Sequence, residues 1–481
     1  MASSLVVALD VGTSSARSLA FDTSGAQVGP IAQIPYEQTT TPDGGVECDA
    51  LALLELVEQC LERLLQSVEG EVVGIGTSCF MHSLLAVDQS GTPKSGVFSW
   101  ADNRARAHVA VLRELVDEDG ARARTGCPFH TSYWPAKLLW LRDVHPELFT
   151  SPLHWMSFGE FLARRWCKQT RVSFSMASGT GVFDGDKCEW DDEMLSHLPI
   201  ERAQLSPLCD ADEPLEPTDE FLARFPRLKS AKMFPALGDG ACSNIGGGGT
   251  DASTLVLNAG TSGALRVVLP GFVGAPPRGL WRYRVDRKRA LVGGAISNCG
   301  NALAWGRATF NLPADWETQV AAMAPDSHGL SVLPFLAGER APLWNPNVHF
   351  ALAGASLHTS PVQIMRALME GAALRYRVLF DLLRPLAPNA QITFSGGALE
   401  YVPVWQSVVC DALGQNMCAS KEAEASARGA ALLALEALGL VPDVGAVSFE
   451  RGEALQPNPA NAPLYERALE RQNALEAKLY E

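Results

Sequence analysis

The stretch from Val6 to Gly25, "VVALDVGTSSARSLAFDTSG", decides how the rest of the chain is read. Two short apolar runs flank a small polar loop, and Asp10 sits just ahead of the glycine. The alternation and β-branched content of Val6–Asp10 and Ser18–Asp22 predict a hairpin with Gly12 in its turn. From Leu255 to Gly271 the chain reads "LVLNAGTSGALRVVLPG". Gly12-Thr13-Ser14 returns as Gly260-Thr261-Ser262, again between apolar or β-branched residues, while Asp10 is replaced by Asn258. A chain of 481 residues exceeds one compact core. A hairpin at the head of each half therefore predicts two α/β domains.

Around the first hairpin, Ala50 to Leu65 carries Leu54, Val57, Leu61, Leu64 and Leu65 at helical spacing, and "VVGIGTS" (Val72 to Ser78) reads as a buried strand. Helical patterns follow near Ala101–Leu115, Ala136–Arg142 and Phe158–Cys167, and the Pro- and acid-rich run Pro207–Pro235 reads as loop-bearing. The four glycines Gly246–Gly249 read as a hinge, dividing the chain into residues 1–245 and 246–481. In the second half, Ser360, Pro361 and Gln363 spell an N-cap, first helical position and capping box. "QITFSGGALE" reads as a strand with a tight Gly396-Gly397 turn, Gly414 stops the helix after it, and a last helix ends at Gly439.

The bulk composition excludes several classes of function. A net charge of -15 leaves no basic stripe for nucleic acid or an anionic membrane. No apolar run is long enough to span a bilayer, and Leu5 to Leu9 is too short, and lacks the basic flank, for a secretory signal. Eleven cysteines without a CxxC pair read as thiols of a reducing cytosol. A cytoplasmic protein is the expectation.

A loop of Gly, Thr and Ser between strands offers backbone N–H groups and hydroxyls to phosphate oxygens. Two such loops, one per domain, could grip a polyphosphate from both sides, with Asp10 holding a magnesium ion directly or through water. A second carboxylate would add repulsion, which explains Asn258. Phosphoryl transfer also needs a base for the acceptor hydroxyl. Asp239 in "GDGACSNIG" suits that task at a helix start, and a simple N-cap is the other reading of the same residue.

The series "LDVGTSSAR", "WADNR", "AKLLWL", "GDGACSNIG", "NAGTSGA", "PFLAGERAPLWNPN", "SGGA" and "EAEASARGAALLA" resembles the successive signatures of the FGGY carbohydrate kinases, in family order, from the first strand to about Leu440. The resemblance implies duplicated ribonuclease-H-like domains of the actin, hexokinase and heat-shock ATPase superfamily, closing on ATP and Mg2+. It implies that Asp239 is the catalytic base and Asp10 the acidic residue near the metal. Gly12, Thr13 and Ser14 with Gly260, Thr261 and Ser262 are then the phosphate loops. Gly396, Gly397 and Ala398 form the adenosine loop, and Gly300 contacts the nucleotide.

On the sugar side the resemblance implies Met81, His82, Trp100, Asp102, Arg104 and His130. Met81-His82 stands where glycerol kinases carry Arg-Glu. "TGCPFHTSYWPAKLLWL" departs from the signature at Trp134, although Lys137 and Trp140 remain. "TPDGGVECD", "SCFMHSLLAVD", "WADNRA" and "MSFGEF" look most like the gluconate-kinase branch, with xylulose kinases second. Gluconate carries a carboxylate, for which Arg104 and His130 are the expected partners. A non-catalytic relative would be expected to lack Asp239 or the phosphate loops, and both are present. The partners implied are a small sugar or sugar acid and, as an assembly, a homodimer.

Overall fold

The structure is a computed structural model and describes residues 4–151 and 153–480. Met1–Ser3, Pro152 and Glu481 of the expected 1–245 and 246–481 units lie outside the described residues.

The first sheet is built from β1 (Ser4–Val11), β2 (Ser15–Asp22), β3 (Gln27–Pro35), β4 (Glu71–Cys79) and β5 (Lys232–Met233), in the order β5-β4-β1-β2-β3. The hairpin partners β1 and β2 are antiparallel, while β4 runs parallel to β1. The short strand β6 (Leu237–Gly238) adds to β4 at its far end. The second sheet repeats this plan with β7 (Thr254–Ala259), β8 (Gly263–Pro270), β9 (Trp281–Arg284), β10 (Arg289–Ile296), β11 (Gln391–Ser395), β12 (Met417–Ser420) and β13 (Arg451–Leu455). Its order is β9-β10-β8-β7-β11-β12-β13, with β7 antiparallel to β8 and parallel to β11. Both central strands are buried on two faces, which is why "VVALDV" and "TLVLNA" read as nearly continuous apolar runs.

Helix α1 (Ala50–Ser67) begins where Asp49 accepts the Ala52 N–H, and its apolar stripe packs on β2 and β3. Helix α2 (Asp239–Gly246) leads out of β6, and α3 (Gly300–Thr309) follows β10. The long α4 (Pro361–Leu383) has the expected capping box between Ser360 and Gln363. Among the described residues no helix is long and apolar enough to cross a membrane.

The last of these helices, α5 (Ala425–Ala437), crosses back from the second half of the chain and packs on β1, β4 and α2. Glycines permit that approach. A Cβ on Gly429 would fall on the backbone of Cys242 in α2, and one on Gly246 would fall on Ala425 and Gly429. The glycine run expected as a hinge is thus partly a packing surface. Gly246 is the last residue of α2, and a Cβ on Gly248 would press on the Phe449 ring at 3.0 Å. Gly429→Ala should therefore force the two helices apart, lowering stability by about 1–3 kcal/mol or more. Thermal unfolding measures this, and an unchanged melting temperature would mean that the contact yields freely.

Candidate active site

Each Gly-Thr-Ser turn hangs from the carboxyl end of a central strand, and the repeat continues into a third strand. On β1, Asp10 lies opposite Arg17 of β2 and beside Ser78 of β4. On β7, Asn258 lies opposite Ala264 of β8 and beside Ser395 of β11. Ser78 Oγ donates to Asp10 Oδ1 at 2.8 Å, and Asn258 Nδ2 donates to Ser395 Oγ at 3.4 Å. The turns are closed by Gly12 N–H on Ser15 O (3.1 Å) and Gly260 N–H on Ser262 O (3.0 Å). Among the described residues, the amides of Thr13, Ser14, Thr261 and Ser262 donate to no backbone carbonyl outside a helix or strand ladder. Free neighbouring N–H groups of this kind suit phosphate oxygens.

The other glycine turns of the second half gather around the second loop. Gly300 N–H donates to Gly260 O and Asn301 N–H to Thr261 O, both at 3.0 Å. Gly396 has φ 104°, and a Cβ there would strike the backbone of Ala259, the residue before Gly260. Ala398 stands beside Gly300, and the Tyr401 ring lies against Gly397 with 81% of its surface exposed. Gly260, Gly300 and Gly396–Ala398 therefore share one edge of the second sheet.

Asp239 opens into a cavity of about 250 Å³ bordered by Thr13, Met81, His82 and Trp100 from the first half and by Ser262, Arg266, Tyr283, Arg340 and Trp344 from the second. An adjoining space of about 570 Å³ shares Thr13, Trp100, Ser132, Ser262 and Arg340, and adds Ser14, Thr261, His130, Asn301 and Glu339. Aromatic rings join the two halves around the smaller cavity. Tyr133 and Tyr283 share a hydroxyl hydrogen bond of 2.6 Å, Trp281 stacks on Tyr283 at 4.1 Å, and Trp344 packs near His130 and Tyr133. His82 and Trp344 both occupy the left-handed backbone region, at φ 66° and 52°. Such conformations store strain, and here both belong to cavity-lining residues.

Burial sets the electrostatics. It raises the Asp239 carboxyl above the usual carboxylate range, against the opposing pull of the Arg266 charge and the Gly240 N–H, which donates at 2.8 Å. It raises Asp10 to about 6, against the Ser78 hydroxyl and the Arg17 charge, while the nearby Asp239 and Glu424 charges add to the rise. Arg17 Nη1 lies 3.5 Å from Asp10 and 3.1 Å from Glu424. Burial pushes His82 and His130 down to about 3, so both rings are neutral at physiological pH. The His82 Nδ1–H donates to Gly179 O at 2.6 Å, which leaves Nε2 as an acceptor. His130 Nδ1 accepts the Ser132 N–H at 3.1 Å, which leaves its Nε2–H as a donor. The two imidazoles thus present opposite hydrogen-bonding faces.

The expected sugar-side residues divide. Met81, His82 and Trp100 border the smaller cavity, and His130 borders the adjoining space. Asp102 and Arg104 border neither. Asp102 is buried, accepts the Val46 N–H at 3.2 Å and pairs with Arg104 at 2.5 Å, while Arg104 also reaches Glu47 at 2.9 Å and lies over Trp140. These two, expected at sugar hydroxyls or a carboxylate, are thus engaged with each other and, through Arg104, with Glu47 rather than lining either cavity. Their ion pair folds the Trp100–Arg104 segment into a turn, so the helix expected from Ala101 begins at Arg106. Lys137 is buried and donates to Ser132 O at 2.8 Å, behind the wall. Asp239 is not an N-cap: Gly238 holds that position and Asp239 is the first helical residue.

Arg266, Tyr283, Arg340 and Trp344 were missed as lining residues. An arginine inside the otherwise apolar strand "GALRVV" was the available signal for the first. Arg340 and Trp344 stood within the quoted "PFLAGERAPLWNPN".

Residues 5–246 match the N-terminal domain of the FGGY family of carbohydrate kinases, and residues 255–438 match its C-terminal domain. The chain belongs to this family. A gluconokinase from Bacillus subtilis (strain 168) is 26% identical over 473 residues, covering 95% of this chain and 92% of that one. A xylulose kinase from Lactococcus lactis is 24% identical over 481 residues, covering 96% and 94%. The crystal structure of a gluconate kinase from Lactobacillus acidophilus superposes with a TM-score of 0.90 at 26% identity, covering 99% of this chain and 98% of that one. The FGGY kinase fold, related to actin and hexokinase, accounts for the duplicated sheets.

The residues of this FGGY kinase fit a magnesium-bound triphosphate. Thr13 and Ser14 from one half border the same space as Thr261 and Ser262 from the other, with Asp10 just ahead of the first loop. Among the described residues no group of three or more His, Cys, Asp or Glu side chains converges as a metal site. A hard cation here would therefore rest on Asp10, directly or through water, and on phosphate oxygens.

Glu339 tests how buried charge weighs on this site. Burial pushes its carboxyl up to about 7, its Oε1 accepts the Ser297 and Arg340 N–H groups, and its buried Oε2 lacks a partner. Ionising it destabilises the fold, a penalty absent below pH 4.5 and complete once the pH has risen through 7. Glu339→Gln should leave stability unchanged near pH 4.5 and raise it by up to roughly 3 kcal/mol at pH 8. Denaturant unfolding at both pH values measures the difference.

Proposed function

We propose that the chain is an ATP-dependent gluconokinase, transferring the γ-phosphoryl group to a hydroxyl of D-gluconate to give 6-phosphogluconate. The observation that carries the kinase reading is that Asp239 borders the same cavity as Thr13 and Ser262, one residue from each phosphate loop. On this reading residues 1–245 hold the sugar, the first loop and the base, and residues 246–481 hold the nucleotide.

Asp239 accepts the proton of the acceptor hydroxyl as its oxygen attacks the γ-phosphorus. The new P–O bond forms, the bond to the β,γ-bridging oxygen breaks, and ADP leaves. A carboxyl raised by burial, with the Arg266 charge opposing that rise, suits a base. The free amides of the two loops take the β- and γ-phosphate oxygens. Gly300 and Gly396–Ala398 flank the adenosine. Mg2+ beside Asp10 would supply neutralisation of phosphate charge. His82 Nε2 accepts from one acceptor hydroxyl and His130 Nε2–H donates to another, fixing orientation. The aromatic walls exclude water, which would otherwise compete for the phosphoryl group.

Likeness to the gluconokinase and gluconate kinase named above supports gluconate as acceptor. A ketopentose such as xylulose is the second reading, supported by the Lactococcus xylulose kinase at nearly equal identity and coverage. Coupled ADP release with gluconate, xylulose, ribulose and glycerol separates them: gluconate should be the preferred substrate, and turnover of xylulose alone would sink that assignment. Asp239→Asn should lower kcat by at least about 100-fold while calorimetry finds acceptor affinity within a few-fold of wild type. Near-normal turnover would remove Asp239 from its role.

A further inference from the structure

The cavity beside Asp239 holds two guanidinium groups, Arg266 and Arg340, that enter no ion pair among the described residues. Two buried arginines of the chain are matched by carboxylates, Arg282 at 2.5 Å from Asp186 and Arg366 at 2.6 Å from Glu370, while buried Arg284 donates to Gly185 O at 2.7 Å and lines neither cavity. Arg266 spends one nitrogen on Ser243 Oγ at 3.1 Å. Arg340 spends one on Ile296 O at 3.3 Å, its buried Nε has no partner, and its plane lies 4.8 Å over the Trp100 ring. Removing a cation from water without a counter-charge is unfavourable by several kcal/mol. Two such groups facing one small cavity are a standing demand for an anion. Asp239 answers Arg266 in part, and Glu339, whose carboxyl burial pushes up to about 7, answers Arg340 in part.

The surroundings indicate which anion. Thr13 and Ser262 of the phosphate loops border both spaces, but Ser14 and Thr261 border only the adjoining one, whereas Arg266 borders only the smaller cavity, together with Met81, His82 and Tyr283. Arg340 stands where the two spaces meet. The partly answered charge thus lies on the acceptor side of the loops. A planar fork of N–H donors also matches a carboxylate in two-point contact.

We propose that Arg266 and Arg340 together bind the carboxylate of a sugar-acid acceptor and determine its selection over neutral polyols. This rests on the kinase reading and specifies its substrate class. It also supplies the cation that Arg104, locked to Asp102 and Glu47, does not provide. Trp100 then serves as a platform that orients Arg340.

The test compares D-gluconate with D-sorbitol, which has the same hydroxyl chain and a neutral terminal group. Wild type should favour gluconate in kcat/KM by 10- to 100-fold or more. In Arg340→Gln that preference should collapse towards unity, mainly through KM for gluconate, with KM for ATP little changed. In Arg266→Gln the preference should fall as well, and kcat should also drop because this arginine faces Asp239. Equal losses for gluconate and sorbitol in both variants would overturn the proposal while leaving the kinase reading standing. Absence of ADP release with any acid or polyol would instead sink the kinase reading itself. Calorimetry on wild type without nucleotide is independent of whether the variants fold. Gluconate should bind at least 10-fold more tightly than sorbitol, and equal affinities would overturn the assignment.

Discussion

The architecture depends on one constraint: a central strand paired antiparallel on one side and parallel on the other, ending in a turn with no side chains in the way. In both halves that pairing is completed by a serine, Ser78 or Ser395, beside the polar residue that precedes the turn. The strand ladders satisfy the backbone up to Val11 and Ala259, and the turn residues are left with amides that nothing nearby accepts. The turn amides are therefore available because the sheet ends where it does. Asp10 and Asn258 share that serine neighbour but not the residue across the hairpin: Asp10 faces Arg17, where Asn258 faces Ala264.

Bringing two such turns to a shared space requires the halves to be held close, and on one side of the cavity the chain does this by close approach of backbone. Gly246 and Gly429 let α2 and α5 touch, so the helix that begins with Asp239 is set against a helix from the far end of the sequence. On the opposite side of the cavity the Tyr133–Tyr283 hydrogen bond and the stacked Trp281 close the seam with rigid rings. Asp239 thus lies between a glycine contact and an aromatic contact.

Much of the fold was legible because its signals are local. The hairpins declare themselves by alternation, α4 by its capping box, and the tight turn at Gly396 by a glycine that nothing larger could replace against Ala259. The site was legible where a residue sits on a turn whose direction is set by adjacent glycines, as for Thr13, Ser262 and Asp239. It was not legible where orientation depends on a distant partner. Trp100, Asp102 and Arg104 are neighbours in sequence. The Val46 N–H and the Glu47 carboxylate nonetheless draw Asp102 and Arg104 inward, while Trp100 remains at the cavity. Arg266 and Arg340 meet only after the second half has folded, and no spacing rule connects a strand interior with a loop.

Those same arginines explain how a cavity so near an acidic residue can still receive an anion. The Asp239 and Glu424 charges add to the rise of Asp10, and burial raises Asp239 itself. With no nearby positive charge, burial would favour a protonated Asp239 and remove the base. Arg266 is the leading charge opposing that rise, and Arg340 contributes more weakly to the same end. On the proposed acceptor reading, a neutral acceptor would leave these guanidinium groups only partly answered by Asp239 and Glu339, whereas an acid would add a counter-charge on entry. On this argument acceptor choice and base strength are two consequences of one charge balance, and a change at either arginine alters both.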